Sequence, residues 1–328
     1  MKEILQYLFN HHTLSKSEAK AIMIEIAQNK FNTAEITAFI TVFLMRNITL
    51  DELEGFRRAL LQMAVPANID CDDTLDIVGT GGDGKNTINI STLASFVIAG
   101  AGQKVTKHGN YGASTITGSS NVLEKLGYQF HNNSEKLNED LEKANICFLH
   151  APHFHPALQS VVALRSSLGL RTFFNLLGPL VNPAKPKFSV IGVYNLEIAR
   201  IYQYLLQKDE REFTIVHGLD GYDEISLTSD SKIITKNSEE ILSTKDLGFN
   251  TLDPKSIAAG TTASESAKIF RNILEGNGSS EQNAVVVANA AVALHHTQKF
   301  GNYQECLLMA QESLVSGKAL RSLNSLLS

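Results

Sequence analysis

The chain has 328 residues, 43% hydrophobic and 19% charged, with a formal net charge of −5. That is the balance of a globular protein of about two domains, and the acidic excess argues against a general nucleic-acid surface. No apolar run reaches the ~20 residues that a bilayer requires, residues 283–294 coming nearest, so no membrane partner is expected. The opening MKEILQYLFNHHTLS lacks the long apolar segment of a secretory signal, and Cys71, Cys147 and Cys306 form no C-x-x-C pair. Both features point to reduced thiols in a cytoplasm.

Residues 1–65 read as helical throughout. Met1–Asn10, Ser15–Gln28, Thr33–Arg46 and Leu50–Met63 each carry apolar residues at helical spacing. Ser15 followed by Glu18 makes a capping box, and the acids after Thr33 and Thr49 give similar starts. The apolar face of Phe39, Ile40, Phe43 and Leu44 reads as core or as the interface of a homodimer. Val65–Thr74, with Pro66 and three aspartates, reads as a linker to a second domain over 75–328.

The next stretch organises the chain. Asp76-Ile77-Val78 predicts a buried parallel strand that stops at Gly79. Gly79, Gly81, Gly82 and Gly84 follow closely, which suits backbone amides converging on an anion. Ser91 and Thr92 open a helix running to about Gly100, a second anion-seeking feature. A strand over Lys104–Thr106 ends in Lys107-His108-Gly109-Asn110, and Ser119 is placed to cap a helix from Ser120 to about Leu126, stopped by Gly127. Two such loops in succession predict a phosphorylated ligand at the carboxyl ends of parallel strands. A dinucleotide site would start its helix among the glycines and carry an acid about twenty residues on, and neither holds here. A P-loop would need a hydroxyl side chain where Asn86 stands.

Further on, His131–Asn145 reads as a polar helix, Ile146–His150 as a strand and Ala157–Leu168 as a helix. Cys147, His150, His153 and His155 hint at zinc, but Cys147 and His150 point to opposite faces of a strand. By itself Arg165 reads as a solvated helix residue, and Arg171–Pro183 as a crossover between domains. Lys187–Val193, Leu196–Gln207 and Glu212–Val216 read as strand, helix and strand. Asp223 and Glu224 then follow a strand's carboxyl end, on the side of the phosphate loops. Paired carboxylates there repel an anion unless a cation intervenes, which argues for Mg²⁺. Ile225–Thr235 reads as a hairpin, 237–253 as a charged surface excursion, and Thr262–Leu274, Glu281–Gln298 and Tyr303–Ser316 as closing helices.

The motifs GTGGD (Gly79–Asp83), NIST (Asn89–Thr92), KHGN (Lys107–Asn110), GSSNVLEKLG (Gly118–Gly127), RTFFNLLGPLVNP (Arg171–Pro183) and HGLDGYDE (His217–Glu224) follow one another in this order. In them the chain resembles the anthranilate phosphoribosyltransferase family, whose fold is shared with pyrimidine nucleoside phosphorylases. The resemblance implies an α/β fold: a small helical domain over 1–65, joined by part of 165–185, beside a larger α/β domain with a mostly parallel sheet. It implies transfer of phosphoribosyl from 5-phosphoribosyl-1-pyrophosphate to anthranilate in tryptophan biosynthesis, and a homodimer. Donor contacts are implied for Gly79, Gly82, Asp83, Thr87, Asn89, Ile90, Ser91, Thr92, Lys107 and Ser119. Anthranilate contacts are implied for Gly79, Asn110 and Arg165, and two Mg²⁺ ions for Ser91, Asp223 and Glu224. No general acid or base is assigned.

One loop departs from the family pattern. Where Arg, Lys and a later Asp are expected after KHGN, this chain has Tyr111, Ile116 and Asn121, so no donor role passes to Tyr111 or Ile116. Two alternatives stand beside the transferase: a phosphorylase-like enzyme and a non-catalytic nucleic-acid-binding relative. The Asp223-Glu224 pair, with GTGGD and NIST, belongs to the transferase side, and the net charge speaks against nucleic acid.

Overall fold

The computed structural model describes residues 1–70, 72–112 and 117–328. Four helices open the chain: α1 (Lys2–Phe9), α2 (Lys16–Ala27), α3 (Thr33–Met45) and α4 (Leu50–Met63). Ser15, Asn32 and Thr49 cap α2 to α4. Each accepts the amide of a glutamate three residues on, whose carboxylate returns to the cap's own backbone. The cap of α3 is thus Asn32 rather than Thr33.

Next come β1 (Leu75–Gly79), α5 (Ile90–Gly100), β2 (Val105–Gly109), α6 (Ser119–Lys125), α7 (Ser134–Ala144) and β3 (Ile146–His150). Then follow α8 (Ala151–Phe154), α9 (Gln159–Leu168), α10 (Phe174–Leu177), β4 (Phe188–Gly192), α11 (Leu196–Leu206) and β5 (Glu212–Gly218). The chain closes with β6 (Ser231–Thr235), β7 (Glu239–Leu242), α12 (Ala263–Leu274), α13 (Ser280–His296), α14 (Tyr303–Val315) and α15 (Lys318–Leu327).

The strands form one sheet in the order β3-β2-β1-β4-β5-β6-β7. β1 to β5 are parallel, and β6 and β7 add an antiparallel edge. Parallel strands buried on both faces read as continuous apolar runs, and adjacent residues serve opposite cores. Val190 and Val216 enter the core built with α5 and α12 to α15, whereas Ile191 and Ile215 face α11 and the helical domain. Phe173 joins the second core, with its ring 4.8 Å from Phe56 and 5.0 Å from Phe43. From β1 the chain turns to β2 on one side, while β4 lies on the other. That reversal opens a crevice beyond the carboxyl ends of β1 and β4.

Several boundaries differ from the sequence reading. The hairpin is Ser231–Leu242, not Ile225–Thr235. Ile225 and Leu227 are apolar because they are buried in the core shared with α13, not because they alternate in a strand. Part of the expected excursion is therefore β7, and α15 extends the closing helices. α6 begins at Ser119, so Gly118 occupies the cap position and the Ser119 hydroxyl donates to the Asn110 carbonyl at 3.4 Å. Among the described residues no helix is long and apolar enough to cross a membrane, and no three His, Cys, Asp or Glu side chains gather as a metal cage.

Candidate active site

The carboxyl ends of the central strands open onto a cleft of ≈ 260 Å³. Gly79 ends β1 beside Gly192 of β4. Asp223 crowds both positions. A β-carbon on Gly79 would overlap the Asp223 carboxylate, and one on Gly192 would overlap the Asp223 carbonyl oxygen. Beyond Gly79 the loop turns through Gly81, Gly82 and Gly84, with φ of 65°, 75° and 75°. The Gly81 amide donates to Asp223 Oδ2 at 2.6 Å, and the Lys85 amide donates to Asp83 Oδ1 at 2.9 Å. Farther along, the Ile88 amide donates to the Ile257 carbonyl, and the Ala259 amide to the Asn86 carbonyl. These bonds tie the loop to a remote turn.

At the start of α5 the Ser91 amide donates to Glu224 Oε1 at 2.9 Å. A carboxylate therefore sits at the positive end of a helix that was expected to attract a phosphate. Ser91 meets Glu224 through its backbone, not its hydroxyl. Burial, and then the charge of Asp83, push the Asp223 carboxyl up to about 7. Burial, followed by Asp223, also pushes Glu224 well above the usual carboxylate range, and burial raises Asp83. Behind them Lys107 is buried, and its Nζ donates to the Ile77 carbonyl at 2.6 Å. Burial lowers its pKa, while Asp76 and Glu224 oppose the shift. Asn89 Nδ2 donates to the Thr117 carbonyl, and its buried Oδ1 has no partner among the described residues.

The opposite wall carries Arg165, which lines the cleft and is not a solvated surface group. Its guanidinium lies 5.3 Å from the Phe174 ring centroid, and Nη2 donates to Asn175 Oδ1 at 3.4 Å. Burial lowers its pKa. Asn110, at the end of β2, accepts the Tyr111 amide on Oδ1 and the Ser120 amide on its carbonyl. Beside it His108 Nδ1 is 3.2 Å from the Gly178 carbonyl, and its buried Nε2 is unpartnered among the described residues.

The cleft thus gathers Gly79, Asp83, Thr87, Asn89, Ser91, Thr92, Lys107, Asn110, Ser119, Arg165, Asp223 and Glu224. It does not take in Gly82 or Ile90. Gly82 is buried within the loop, where a β-carbon would be 3.0 Å from Arg171 Nε, and Ile90 is fully buried as the first residue of α5. In the altered loop Tyr111 donates its hydroxyl to Glu124 Oε1 at 3.2 Å, and Asn121 Oδ1 accepts both the Gly112 and Gly118 amides at 2.9 Å. Ile116 lies outside the described residues. Gly192, His108 and Asn289 escaped the sequence reading. Of these, only Asn289 left a signal, as a polar residue inside the apolar run 283–294.

The α/β-domain model of a glycosyl transferase family matches residues 71–320, and the family's helical-bundle model matches 2–64. An anthranilate phosphoribosyltransferase of Flavobacterium johnsoniae is 52% identical over 326 residues, covering 99% of this chain and 98% of that protein. One from Bacteroides fragilis is 49% identical over 323 residues, covering 98% of each. The solved structure of the Thermus thermophilus enzyme superposes with a TM-score of 0.90 at 30% identity, covering 98% of both chains. That of the Saccharomyces cerevisiae enzyme in complex with PRPP and Mg gives 0.89 at 27%, covering 98% of this chain and 95% of that one. Matched over nearly its whole length in sequence and in fold, the chain belongs to the anthranilate phosphoribosyltransferase family.

Proposed function

We propose that the protein transfers the phosphoribosyl group of 5-phosphoribosyl-1-pyrophosphate to the amine of anthranilate, releasing pyrophosphate, as a step of tryptophan biosynthesis. The observation that carries this reading is one cleft lined both by a carboxylate-rich glycine loop and by the half-buried Arg165. The relatives favour transfer over the phosphorylase and nucleic-acid alternatives.

Displacement at a sugar C1 builds positive charge on the sugar and negative charge on the leaving group, so positioning and electrostatics carry the rate. Gly79, Asp83, Thr87, Asn89, Ser91, Thr92, Lys107 and Ser119 hold the donor, with Gly82 and Ile90 supporting them from behind as turn and helix start. Arg165 presents a planar fork that suits the anthranilate carboxylate, and Asn110 with Gly79 orients the ring. Asp223 and Glu224 fit Mg²⁺: they are hard oxygen donors that burial and mutual repulsion leave short of positive charge. Mg²⁺ commonly takes one or two carboxylates and completes its shell with phosphate oxygens and water, so no protein cage is needed. We assign two ions per subunit to Ser91, Asp223 and Glu224, which would hold them where they would neutralise charge on the pyrophosphate. A homodimer through the helical domain fits the exposure of Phe9 and Met45, at 60% and 83%. A cytoplasmic location belongs to the same proposal.

Anthranilate fluorescence, followed with purified protein, provides the test. Its decay should require both the donor and Mg²⁺, and a flat trace from folded protein would overturn the transferase reading. Asp223→Asn with Glu224→Gln should abolish Mg²⁺-dependent turnover in a folded protein. Full activity in that double variant would remove the metal assignment.

A further inference from the structure

Three basic side chains line the cleft: Lys85, Lys107 and Arg165. Two are already committed. Lys107 is buried and spends a donor on the Ile77 carbonyl, and Arg165 rests on Phe174 and Asn175 at the far wall. Lys85 differs from both. Half-buried, it donates no side-chain hydrogen bond among the described residues, whereas hydrogen-bond partners hold the other two, and like them it has no carboxylate within ion-pair distance. Its Nζ sits over the Tyr222 ring, 4.6 Å from the centroid.

The backbone sets this position. Gly84 is left-handed, and Asp83 Oδ1 holds the Lys85 amide, so the tight turn places Lys85 on the same loop as Asp83. Tyr222 is buried and immediately precedes Asp223. The aromatic face therefore keeps an ammonium beside the acidic group without pairing the two. A cation held this way loses water on one side and keeps N–H donors for the other.

We propose that Lys85 is a binding residue for the diphosphate group of the donor, with Tyr222 holding its ammonium in place beside Asp83. The chemistry recognised is a polyanion on the β1 loop, where the cleft offers excess carboxylate and Lys85 as its uncommitted lining cation among the described residues. This inference rests on the transferase reading.

The test uses the full chain and two variants. Lys85→Met keeps the stem over Tyr222 and removes the charge, and Lys85→Arg keeps the charge. Calorimetry measures the Kd of inorganic diphosphate with Mg²⁺, and steady-state rates give KM for both substrates. Lys85→Met should raise the diphosphate Kd and the donor KM about tenfold, the loss of one charge-assisted hydrogen bond. The anthranilate KM and the melting temperature should hold, and Lys85→Arg should restore most of the affinity. An unchanged diphosphate Kd in Lys85→Met would overturn the inference. So would equal losses for both substrates together with a lower melting temperature, which would make Lys85 a structural counter-charge to Asp83. If wild-type protein binds diphosphate but does not turn over, the transferase reading fails, while the Kd ratio still decides the role of Lys85.

Discussion

The carbonyl oxygen of Asp223 occupies the place where a β-carbon on Gly192 would have to go. The obstacle is backbone, so no rotamer change relieves it. Gly192→Ala should therefore push the 222–225 loop away from the sheet, at a strain of roughly 1–3 kcal/mol. It should also separate Asp223 and Glu224 from the Gly81 and Ser91 amides and remove nearly all turnover. Gly79→Ala meets the Asp223 side chain instead, which can rotate, so its stability loss should be smaller. Denaturant unfolding and rate assays check both, and wild-type turnover in Gly192→Ala would mean that the loop's position is not critical.

Three histidines near the cleft are held neutral. Burial is the main cause, pushing His108 down to about 3 and His150 and His155 each to about 4. In an unfolded chain each titrates near ~6.5, so between that pH and their folded values the unfolded state binds more protons. Their contribution to stability is complete above ~6.5 and is lost as pH falls through about 4. Denaturation midpoints should decline from pH 7 towards pH 4. His155→Gln keeps a donor for the Val181 carbonyl, 2.9 Å away in the native chain, and removes one titration. Its midpoint should fall less steeply with acid, and identical slopes would exclude His155 as a contributor.

Arg165 carries a half-buried charge that no acidic side chain pairs among the described residues. On the proposed reading, the anthranilate carboxylate would supply the missing partner. Arg165→Ala should weaken anthranilate binding by about 1.5–3 kcal/mol, ten- to hundredfold, with the donor KM little changed. Arg165→Lys keeps the charge but not the fork, so its recovery should be partial. An unchanged anthranilate KM in the alanine variant would sink the assignment.

The parts of the site that were legible in the sequence are those with a local cause. Glycines 79 to 84 announce left-handed turns, Ser15-to-Glu18 announces a cap, and Asp223-Glu224 after a strand announces an acidic lip, because each depends on neighbours in the chain. The pairing of Gly81 with Asp223 spans 142 residues, and that of Ser91 with Glu224 spans 133. Neither has any local sign. The need for glycine at 192 arises only when another loop lies across it. Ile225 and Leu227 misled for the same reason, since burial under a distant helix imitates strand alternation. His108 sits in a strand, and its ring contacts the Gly178 carbonyl, 70 residues away in the chain.

Asn289 provides the last test, because it clamps the residue that follows the acidic pair. From inside α13 its Nδ2 donates to the Ile225 carbonyl at 2.8 Å, and its Oδ1 accepts the Ile225 amide at 3.2 Å. Both backbone groups of Ile225 are thus satisfied by one buried side chain, which fixes the height of Glu224 beneath the start of α5. Asn289→Leu keeps the branched shape, though bulkier, and leaves that N–H and C=O unpaired, at about 1–3 kcal/mol for each buried group. The loop should relax rather than bear the full cost. Thermal unfolding should show a lower melting temperature, and a titration of turnover against Mg²⁺ should show half-saturation at higher concentration. Asn289→Asp can still accept the amide but loses the donor and buries a charge, so it should not rescue. A variant that melts early yet keeps wild-type Mg²⁺ half-saturation would show that Asn289 supports the fold without positioning the acids.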